Sequence, residues 1–266
     1  MNFRINRFLF SQTNIDSGSL STHSTIVHKF AAPGGYEGIV IQGSAIVGRF
    51  TLSVIEDRTV SKSSLSSSTL SVKDSNTASQ RPEENQQIND ASDQINIDLS
   101  STTDRYTLKK DGYGVFFVST GAGGYSIEIN RFEKGLQRKS FDSKELSDGE
   151  IFSAMVIRPG TYSITNTVNN TKSDLVVNYP ELGKMKKILT PINIECKAKE
   201  IVPSKINIDP SQGLIFSIRT LSRIKIELTK PEDRPLKLHK EQFPTRTREG
   251  EKFIKRYRIM PRNQKF

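Results

Sequence analysis

Apolar and polar residues alternate in short runs along most of this chain. Within residues 125–130 every second side chain is large and apolar, which is the period of a strand with one buried face. Residues 115–118 are continuously apolar, as expected of a strand buried on both faces. Glycines at 121–124 separate the two runs, and since glycine accepts positive φ at little steric cost, the pattern predicts a hairpin.

Similar runs, each ended by turn residues, continue to residue 228, and they predict about thirteen short strands. The predicted strands cover residues 24–30, 36–41, 46–55, 94–99, 114–119, 125–132, 150–157, 161–166, 175–179, 192–196, 205–209, 214–218 and 223–228. No amphipathic helix interrupts them before Pro231. Closely spaced strands of this length are typical of β-sandwiches, so the predicted fold class is all-β.

Turn and linker residues divide the chain into two fused antiparallel β-sandwich-like modules. We predict an N-terminal arm at residues 1–22, a first sandwich domain at 23–180 and a second, smaller β module at 188–230. A basic tail follows at 231–266. With only about four strands, the second module is marginal as an independent unit, so we expect it to pack on the first.

A serine-rich segment interrupts the first predicted domain. Residues 59–104 contain 12 serines, no aromatic residue and no glycine. Such a segment buries too little apolar area to offset its ordering entropy, so we predict a disordered insert. Its last part, residues 94–99, alternates in hydrophobicity and is the one candidate to rejoin the sheet.

Two stretches of the chain resemble each other. Residues 114–129 align with residues 213–228 without a gap at a shift of 99, and four of the sixteen pairs are identical. A duplicated unit would produce this likeness, and so would two ordinary hairpins, because any two hairpins share the alternating pattern.

The charge of the chain defines the partners that it can attract. Its net charge is +10 and its pI is about 9.6, which permits contact with nucleic acid, anionic lipid or an acidic protein. The single cysteine, Cys196, excludes an intramolecular disulfide and suits a reducing compartment. No stretch approaches the apolar length of a membrane span, and the N-terminal apolar run is too short for a signal peptide. We therefore expect a cytoplasmic protein.

Most of the positive charge lies in the tail. Residues 230–266 carry 12 lysines or arginines and 5 acidic residues, a net +7. Aromatic side chains interleave with these charges, and this composition suits nucleic-acid backbones and unstacked bases. The candidate polyanion contacts are Lys252, Phe253, Lys255, Arg256, Tyr257, Arg258 and Arg262. An acidic protein is the alternative partner, and a solvated tail without a partner is the third interpretation.

Few residues elsewhere suggest chemistry. His28 lies in a predicted strand, where it is either a ligand or base or an ordinary, partly exposed strand histidine. Cys196 has no histidine beside it to activate it, so we expect a small buried apolar role. The glycines at 121–124 lead into a strand, whereas a phosphate-binding loop leads into a helix.

Four acidic residues lie close together between two predicted strands. Asp142, Glu145, Asp148 and Glu150 are candidates for calcium binding or an acid/base pair, although their spacing is not that of an EF-hand. A solvated loop is the alternative interpretation of this segment.

Two segments resemble parts of cupredoxin-like sandwiches, an architecture shared with immunoglobulin-like domains. One is IVPSKINIDPSQGLIFSI, residues 201–218, and the other is RPGTYSITN, residues 158–166, which is similar to the turn before the copper cysteine. The resemblance implies a similar sandwich. It does not imply a copper site, because Asn166 stands at the cysteine position and no histidine follows before His239.

Taken together, these patterns favour a non-catalytic binding or structural protein. We expect no cofactor, no metal and no catalytic residues. One alternative is a nucleic-acid-associated protein that binds through its tail. The other is an enzyme whose site is assembled on loops, and a deep polar pocket around His28 or residues 142–150 would favour it.

Overall fold

The part of the chain that the structure describes is all-β, which confirms the predicted fold class. A computed structural model describes residues 13–56, 91–101, 105–133, 135–178 and 189–232, and the backbone of residues 242–243 and 254–255. The strands are β1 Asn14–Asp16, β2 Ser24–Phe30, β3 Gly34–Gln42, β4 Ala45–Ile55, β5 Ser92–Asp98, β6 Arg105–Phe117, β7 Tyr125–Glu133, β8 Leu136–Asp142, β9 Ile151–Met155, β10 Gly160–Asn166, β11 Thr171–Val177, β12 Ile192–Cys196, β13 Ile201–Val202, β14 Lys205–Ile208, β15 Gly213–Ile218, β16 Ile224–Pro231, β17 Gln242–Phe243 and β18 Ile254–Lys255. The described part of the chain contains no helix long and apolar enough to cross a membrane.

Strand β6 joins the two sheets of the first sandwich. Its first half pairs with β4, and its second half pairs with β2 on one side and β5 on the other. The sheet order therefore runs β2-β6-β4-β3-β7-β8. Neighbouring strands are about 4.8 Å apart. Strands β4, β3 and β7 lie between β6 and β8, so β6 and β8 would be far from each other in a flat sheet. Yet Phe141 of β8 stacks on Phe116 of β6 with 5.8 Å between the ring centroids, so the sheet folds over to enclose the core.

A second sandwich is built from β1 and the strands β9 to β16, and β17 and β18 pair separately. One sheet has the order β1-β16-β10-β11-β14, and the other consists of β13-β12-β15-β9. The alternate buried side chains of both belong to one hydrophobic core, which also includes the core residues of the first sandwich. Strand β9 pairs with β2, so one sheet continues from the first sandwich into the second.

The two halves of the chain have the same strand arrangement. We call residues 14–133 the first repeat and residues 136–231 the second repeat. The order β7-β3-β4-β6 in the first corresponds to β16-β10-β11-β14 in the second, and β5-β6-β2 corresponds to β12-β15-β9. Each pairing has the same direction in both repeats. The one long strand β6 corresponds to two shorter strands, β14 and β15, which a turn at Pro210 separates.

The registers of the pairs define which residues correspond. Gly34 pairs with Val54 as Gly160 pairs with Val177. At the resulting shift of 126, residues 14–40 align with residues 140–166 without a gap, and seven of the 27 pairs are identical. The identical pairs are Asp16/Asp142, Ser17/Ser143, Leu20/Leu146, Ser21/Ser147, Pro33/Pro159, Gly34/Gly160 and Tyr36/Tyr162.

The first strand of each repeat is added to the last strand of the other. Strand β1 pairs with β16 of the second repeat, and β8 pairs with β7 of the first. The hydroxyl of Ser17 accepts a hydrogen bond from the Ile224 amide at 3.0 Å, and the hydroxyl of Ser143 accepts one from the Ile127 amide at 2.9 Å. Each repeat thus completes the sandwich of the other.

The contact between β2 and β9 is symmetric. Ile26 pairs with Phe152, and Phe152 is the residue that corresponds to Ile26 at the shift of 126. The neighbouring pairs Thr25–Ser153 and Val27–Ile151 are equivalent to each other. An antiparallel contact of this kind is isologous, as in a twofold dimer. The two repeats are therefore related by an approximate twofold axis that passes between Ile26 and Phe152.

The registers also refine the sequence-based repeat. Residues 114–129 and 213–228 do lie in corresponding strands. However, Phe116 corresponds to Phe216, a shift of 100, and Ile127 corresponds to Ile224, a shift of 97. The gap-free shift of 99 is wrong because the connection between the two strands is three residues longer in the first repeat.

The hairpin predicted at residues 121–124 is wrong. Strand β7 pairs with β3 and β8, whereas β6 pairs with β2, β4 and β5. The glycine-rich connection therefore crosses from one sheet of the sandwich to the other. Alternation identifies a strand and its buried face, but it does not identify the partner strand.

Three further details differ from the sequence-based predictions. Phe116 is buried but Phe117 is half-buried, because only one face of β6 meets the core. Strand β8 was not predicted. Its sequence does not alternate between apolar and polar residues, because it lies at the sheet edge and most of its side chains are exposed. Strand β5 continues the sheet with Ile95 and Ile97 buried, which confirms residues 94–99 as the part that rejoins the sheet and means that the predicted disorder does not extend over residues 92–98 of the insert. The segment 57–90 lies outside the described residues.

Hydrogen bonds cross the predicted domain boundary at residues 180–188. Strand β10, which precedes it, pairs with β16, and β9 pairs with β15. The smaller module thus shares both of its sheets with strands of the first predicted domain. The division at 23–180 and 188–230 stays a sequence-based prediction, as do the arm at 1–22 and the tail at 231–266.

Candidate functional site

The fold brings together two of the residues singled out in the sequence, His28 and Glu150. The Nδ1 atom of His28 lies 2.9 Å from the Oε1 atom of Glu150, and the two side chains are only 12% and 7% exposed. His28 lies on the inward face of β2, between the buried residues Ile26 and Phe30. It is partly exposed, as we expected of a strand histidine.

Aromatic rings cover the histidine. The ring centroid of His28 lies 4.8 Å from that of Phe30, in an edge-on arrangement, and 4.6 Å from that of Phe141. Since Phe141 lies on β8, the imidazole is held between the two sheets of the first sandwich. A carboxylate beside a ring nitrogen fixes the orientation of the imidazole and favours the tautomer with hydrogen on Nδ1.

The position of Glu150 follows from its place in the repeat. Its Oε2 atom accepts a hydrogen bond from the Ser147 amide at 2.8 Å and so closes the turn before β9. In the first repeat Ser24 closes the same turn, because its hydroxyl accepts a hydrogen bond from the Ser21 amide at 2.9 Å. Glutamate is longer than serine, and its second oxygen reaches His28 of the other repeat. The residue equivalent to His28 is Ala154, so the pair occurs on one side of the approximate twofold axis only.

The other acidic residues of this segment have different surroundings. Asp142 accepts hydrogen bonds from the Lys144 amide at 2.9 Å and from the Lys139 ammonium at 2.8 Å. Glu145 and Asp148 are exposed. Among the residues that the structure describes, no group of three or more histidine, cysteine or acidic side chains is arranged to hold a metal ion. Of the four acids, only Glu150 is paired with His28.

A shallow surface depression lies elsewhere on the molecule. Its lining includes Thr13, Met155, Arg158 and Tyr162, and neither His28 nor Glu150 contributes to it.

Cys196 is fully buried in β12, where Leu99 stands in the equivalent position of the first repeat. Burial raises the pKa of its thiol to about 12 because desolvation disfavours the thiolate. The thiolate is the nucleophilic form, so the thiol is unreactive at neutral pH. The expected buried apolar role is confirmed.

The predicted polyanion contacts lie almost entirely outside the described residues. This holds for Lys252, Phe253, Arg256, Tyr257, Arg258 and Arg262. For Lys255 the structure describes the backbone alone, which pairs with Gln242 between β18 and β17. These seven residues stay predictions, and so does any partner of the tail. His239 lies outside the described residues as well.

A second polar cluster, which the sequence analysis missed, joins the two repeats. The guanidinium of Arg223 donates two hydrogen bonds to Asp16, at 3.0 and 2.8 Å. The carboxylate raises the pKa of Arg223, mainly through these bonds. Beside them, the buried amide of Asn166 donates to the Ser222 hydroxyl at 2.8 Å. The signal in the sequence was the motif Asp-Ser-x-x-Leu-Ser, which begins at residue 16 and recurs at residue 142.

Comparisons of the chain with protein-family models, with curated proteins and with solved structures found no match. The resemblance to cupredoxin-like or immunoglobulin-like sandwiches therefore stays a proposal that rests on residues 158–166 and 201–218.

Proposed function

We propose that this chain is a non-catalytic binding or structural protein built from two mutually completing β-sandwiches. One observation carries the proposal: polar side chains that the fold brings together hold the two repeats in place. Glu150 uses one oxygen to close its own turn and the other to bind His28 of the first repeat. Asp16 likewise binds Arg223 across the repeats. Groups used in this way stabilise a scaffold.

The experiment replaces the pair by the residues of the other repeat. We would compare His28→Ala, Glu150→Ser and the double variant by urea unfolding of the full chain. A scaffold role predicts that Glu150→Ser costs about 1–3 kcal/mol, because a buried histidine nitrogen loses its partner. The double-mutant cycle should give a favourable coupling energy between His28 and Glu150 of about 0.5–3 kcal/mol. The cost of the cavity left by alanine cancels in this coupling energy. Glu145→Ser, on the same loop but exposed, serves as the control and should stay within about 0.5 kcal/mol of wild type.

The opposite result would indicate a functional site. Residues kept for activity are often suboptimal for stability, so their replacement is neutral or stabilising. Variants at His28 or Glu150 that match or exceed the stability of wild type would therefore contradict the proposal and support the enzyme alternative.

Polyanion binding through the basic tail is the second candidate. It is supported by the sequence, where 230–266 carries +7 of the +10 net charge and four aromatic residues. Binding by counterion release should weaken steeply with salt, with a slope of about one log unit per neutralised phosphate. Titration of the full chain with single-stranded and double-stranded nucleic acid tests this. Absence of binding at low salt would end this candidate and leave two interpretations of the tail, docking on an acidic protein or a solvated tail without a partner.

A further inference from the structure

The shallow depression beside Tyr162 has a counterpart in the first repeat. The described residues that line it are mostly apolar: Ile15, Met155, Val156, Ile157 and Ile226, together with Thr13, Asn14, Arg158 and Tyr162. At the shift of 126, Tyr162 corresponds to Tyr36. The surroundings of Tyr36 in the first repeat therefore show how this place in the fold is filled when it is complete.

Aromatic rings fill the counterpart. The ring centroid of Phe30 lies 5.2 Å from that of Tyr36 and 4.8 Å from that of His28, and the Phe141 centroid lies 4.6 Å from that of His28. The second repeat has smaller side chains at the positions that correspond to the imidazole and the two phenylalanines, which are Ala154, Val156 and Ile15. Three of the four rings are thus missing, and the depression is the space that they leave.

The described part of the chain begins at the rim of this depression. Thr13 belongs to its lining, and the Thr13 carbonyl accepts a hydrogen bond from the Leu228 amide at 2.8 Å, so the backbone still runs along β16 there. Strand β8, the counterpart of β1, begins at Leu136, which corresponds to residue 10. The counterpart strand therefore extends further towards the N-terminus than β1, which begins at Asn14.

The sequence just before Thr13 supplies large apolar side chains. Phe8, Leu9 and Phe10 are consecutive. Successive side chains of an extended chain point to opposite faces, so at least one of the three faces the sheet in any register. Three to five extended residues span about 10–17 Å, so all three side chains are within reach of a depression that Thr13 lines.

We propose that residues 8–10 dock in the depression and complete the second sandwich, in the place of the aromatic rings of the first. The partner of this surface is thus the N-terminal segment of the same chain. The short connection to Thr13 favours this occupant, because docking of a tethered segment is intramolecular and proceeds at a high effective concentration. The inference goes beyond the scaffold role of His28 and Glu150 and does not depend on it.

Thiol labelling of a cysteine placed in the depression tests the proposal. Met155 is 39% exposed, and Cys196 is buried with its pKa raised to about 12, so full-length Met155→Cys carries one reactive thiol. Adding Phe8→Ser/Leu9→Ser/Phe10→Ser should raise the labelling rate about tenfold or more, because burial of one or two apolar side chains is worth at least that factor.

The matched control is Leu136→Cys. Leu136 is 74% exposed at the start of β8 and does not line the depression. The same three serine changes should alter the labelling rate of Leu136→Cys less than about twofold. Slow labelling of Cys196 in each sample verifies that the protein is folded.

Each contrary result has a distinct meaning. If the serine changes leave the labelling rate of Met155→Cys unchanged, residues 8–10 do not cover the depression and the proposal is overturned. Protection that is lost on dilution, together with a dimer in light scattering, would assign the covering segment to a second copy and overturn docking within one chain. If the triple change unfolds the protein, the three single changes are measured instead, and an unchanged rate in all three overturns the proposal. None of these outcomes affects the proposed scaffold, which is judged by the stability of the His28 and Glu150 variants.

Discussion

Tyr36 and Tyr162 make the same hydrogen bond in the two halves of the molecule. The hydroxyl of Tyr36 donates to the Ala32 carbonyl at 2.6 Å, and the hydroxyl of Tyr162 donates to the Arg158 carbonyl at 2.7 Å. Both side chains are buried, and burial raises the pKa of both, that of Tyr162 to about 12. Each bond closes the Pro-Gly turn that begins the third strand of its repeat.

The equivalence of the two tyrosines predicts equal effects when either bond is removed. Tyr36→Phe and Tyr162→Phe should each lower the free energy of unfolding by about 1 kcal/mol, since each leaves a carbonyl without its buried donor. Tyr113→Phe is the control, because Tyr113 is largely exposed. Urea unfolding measures all three, and a loss at only one of the two turns would show that they are not energetically equivalent.

The contribution of the Asp16–Arg223 ion pair to stability can be tested by comparison with Asp142, the residue that corresponds to Asp16 in the second repeat. Asp16 and Asp142 each accept a hydrogen bond from the amide two residues later. Asp16 also accepts two hydrogen bonds from Arg223, whereas Asp142 accepts one from Lys139, whose side chain is more exposed. Asp16→Ala should therefore cost about 0.5–1 kcal/mol more than Asp142→Ala, a modest difference because the guanidinium is partly exposed. Equal costs would mean that Arg223 stabilises the joint between the repeats no more than the exposed Lys139 stabilises its own turn.

Burial of Cys196 predicts slow chemistry at its thiol. With the pKa raised to about 12, the folded protein should hold almost no thiolate at pH 8. Reaction with a thiol-specific disulfide reagent should be slow in buffer and fast in urea. Rapid labelling of the folded protein would show that β12 opens readily or that the thiol is accessible.

His23 makes stability sensitive to acid. Burial lowers the pKa of His23, so the folded state takes up its proton at a lower pH than the unfolded state. The contribution of neutral His23 to the free energy of unfolding is fully present above the pKa of the unfolded state, about 6.5. It is lost as the pH falls through the lower pKa of the folded state. His23→Gln should therefore lose less stability than wild type between pH 7.5 and pH 5 in urea unfolding. An unchanged pH dependence would contradict the assigned burial.

Shortening the serine-rich insert should leave the fold intact if strand β5 is kept. In the second repeat, residues 178–191 make the equivalent connection from β11 to β12. Replacing residues 57–90 by a shorter linker, so that the connection from β4 to β5 is about as long as residues 178–191, should leave the thermal midpoint of unfolding nearly unchanged. The reason is that the entropy cost of closing a loop changes little with its length. Removal of residues 92–99 as well should destabilise the protein severely, since Ile95, Ile97 and Leu99 are core residues. A large drop in the midpoint with the shorter deletion would contradict this.

The sequence predicted the strands well but not their partners. Alternation located β2, β7 and β10 because each has one buried face, and that face is visible in the pattern. It did not locate β8, whose side chains are mostly exposed, and it did not show that β6 and β7 are not paired with each other. Pairing depends on contacts between distant segments, which a local pattern does not record.

The candidate site was predicted in part. His28 and the acids at 142–150 were both noted, but only the fold shows that Glu150 meets His28 across the two repeats. A search for repeats at the shift of 126 would have found the Asp-Ser-x-x-Leu-Ser and Pro-Gly-x-Tyr motifs. The predicted strands were compared at a shift of 99, where loops of unequal length hide the true register.

Cooperativity of unfolding tests most directly whether the two repeats complete each other. Phe116 and Phe216 are equivalent core residues in different repeats, and alanine at either should cost about 3–5 kcal/mol. Because each repeat supplies a strand to the other, we predict that wild type and both variants unfold in a single calorimetric transition, with the midpoint lowered similarly by either change. Two transitions, of which Phe216→Ala shifts one and leaves the other in place, would contradict the reciprocal exchange of strands.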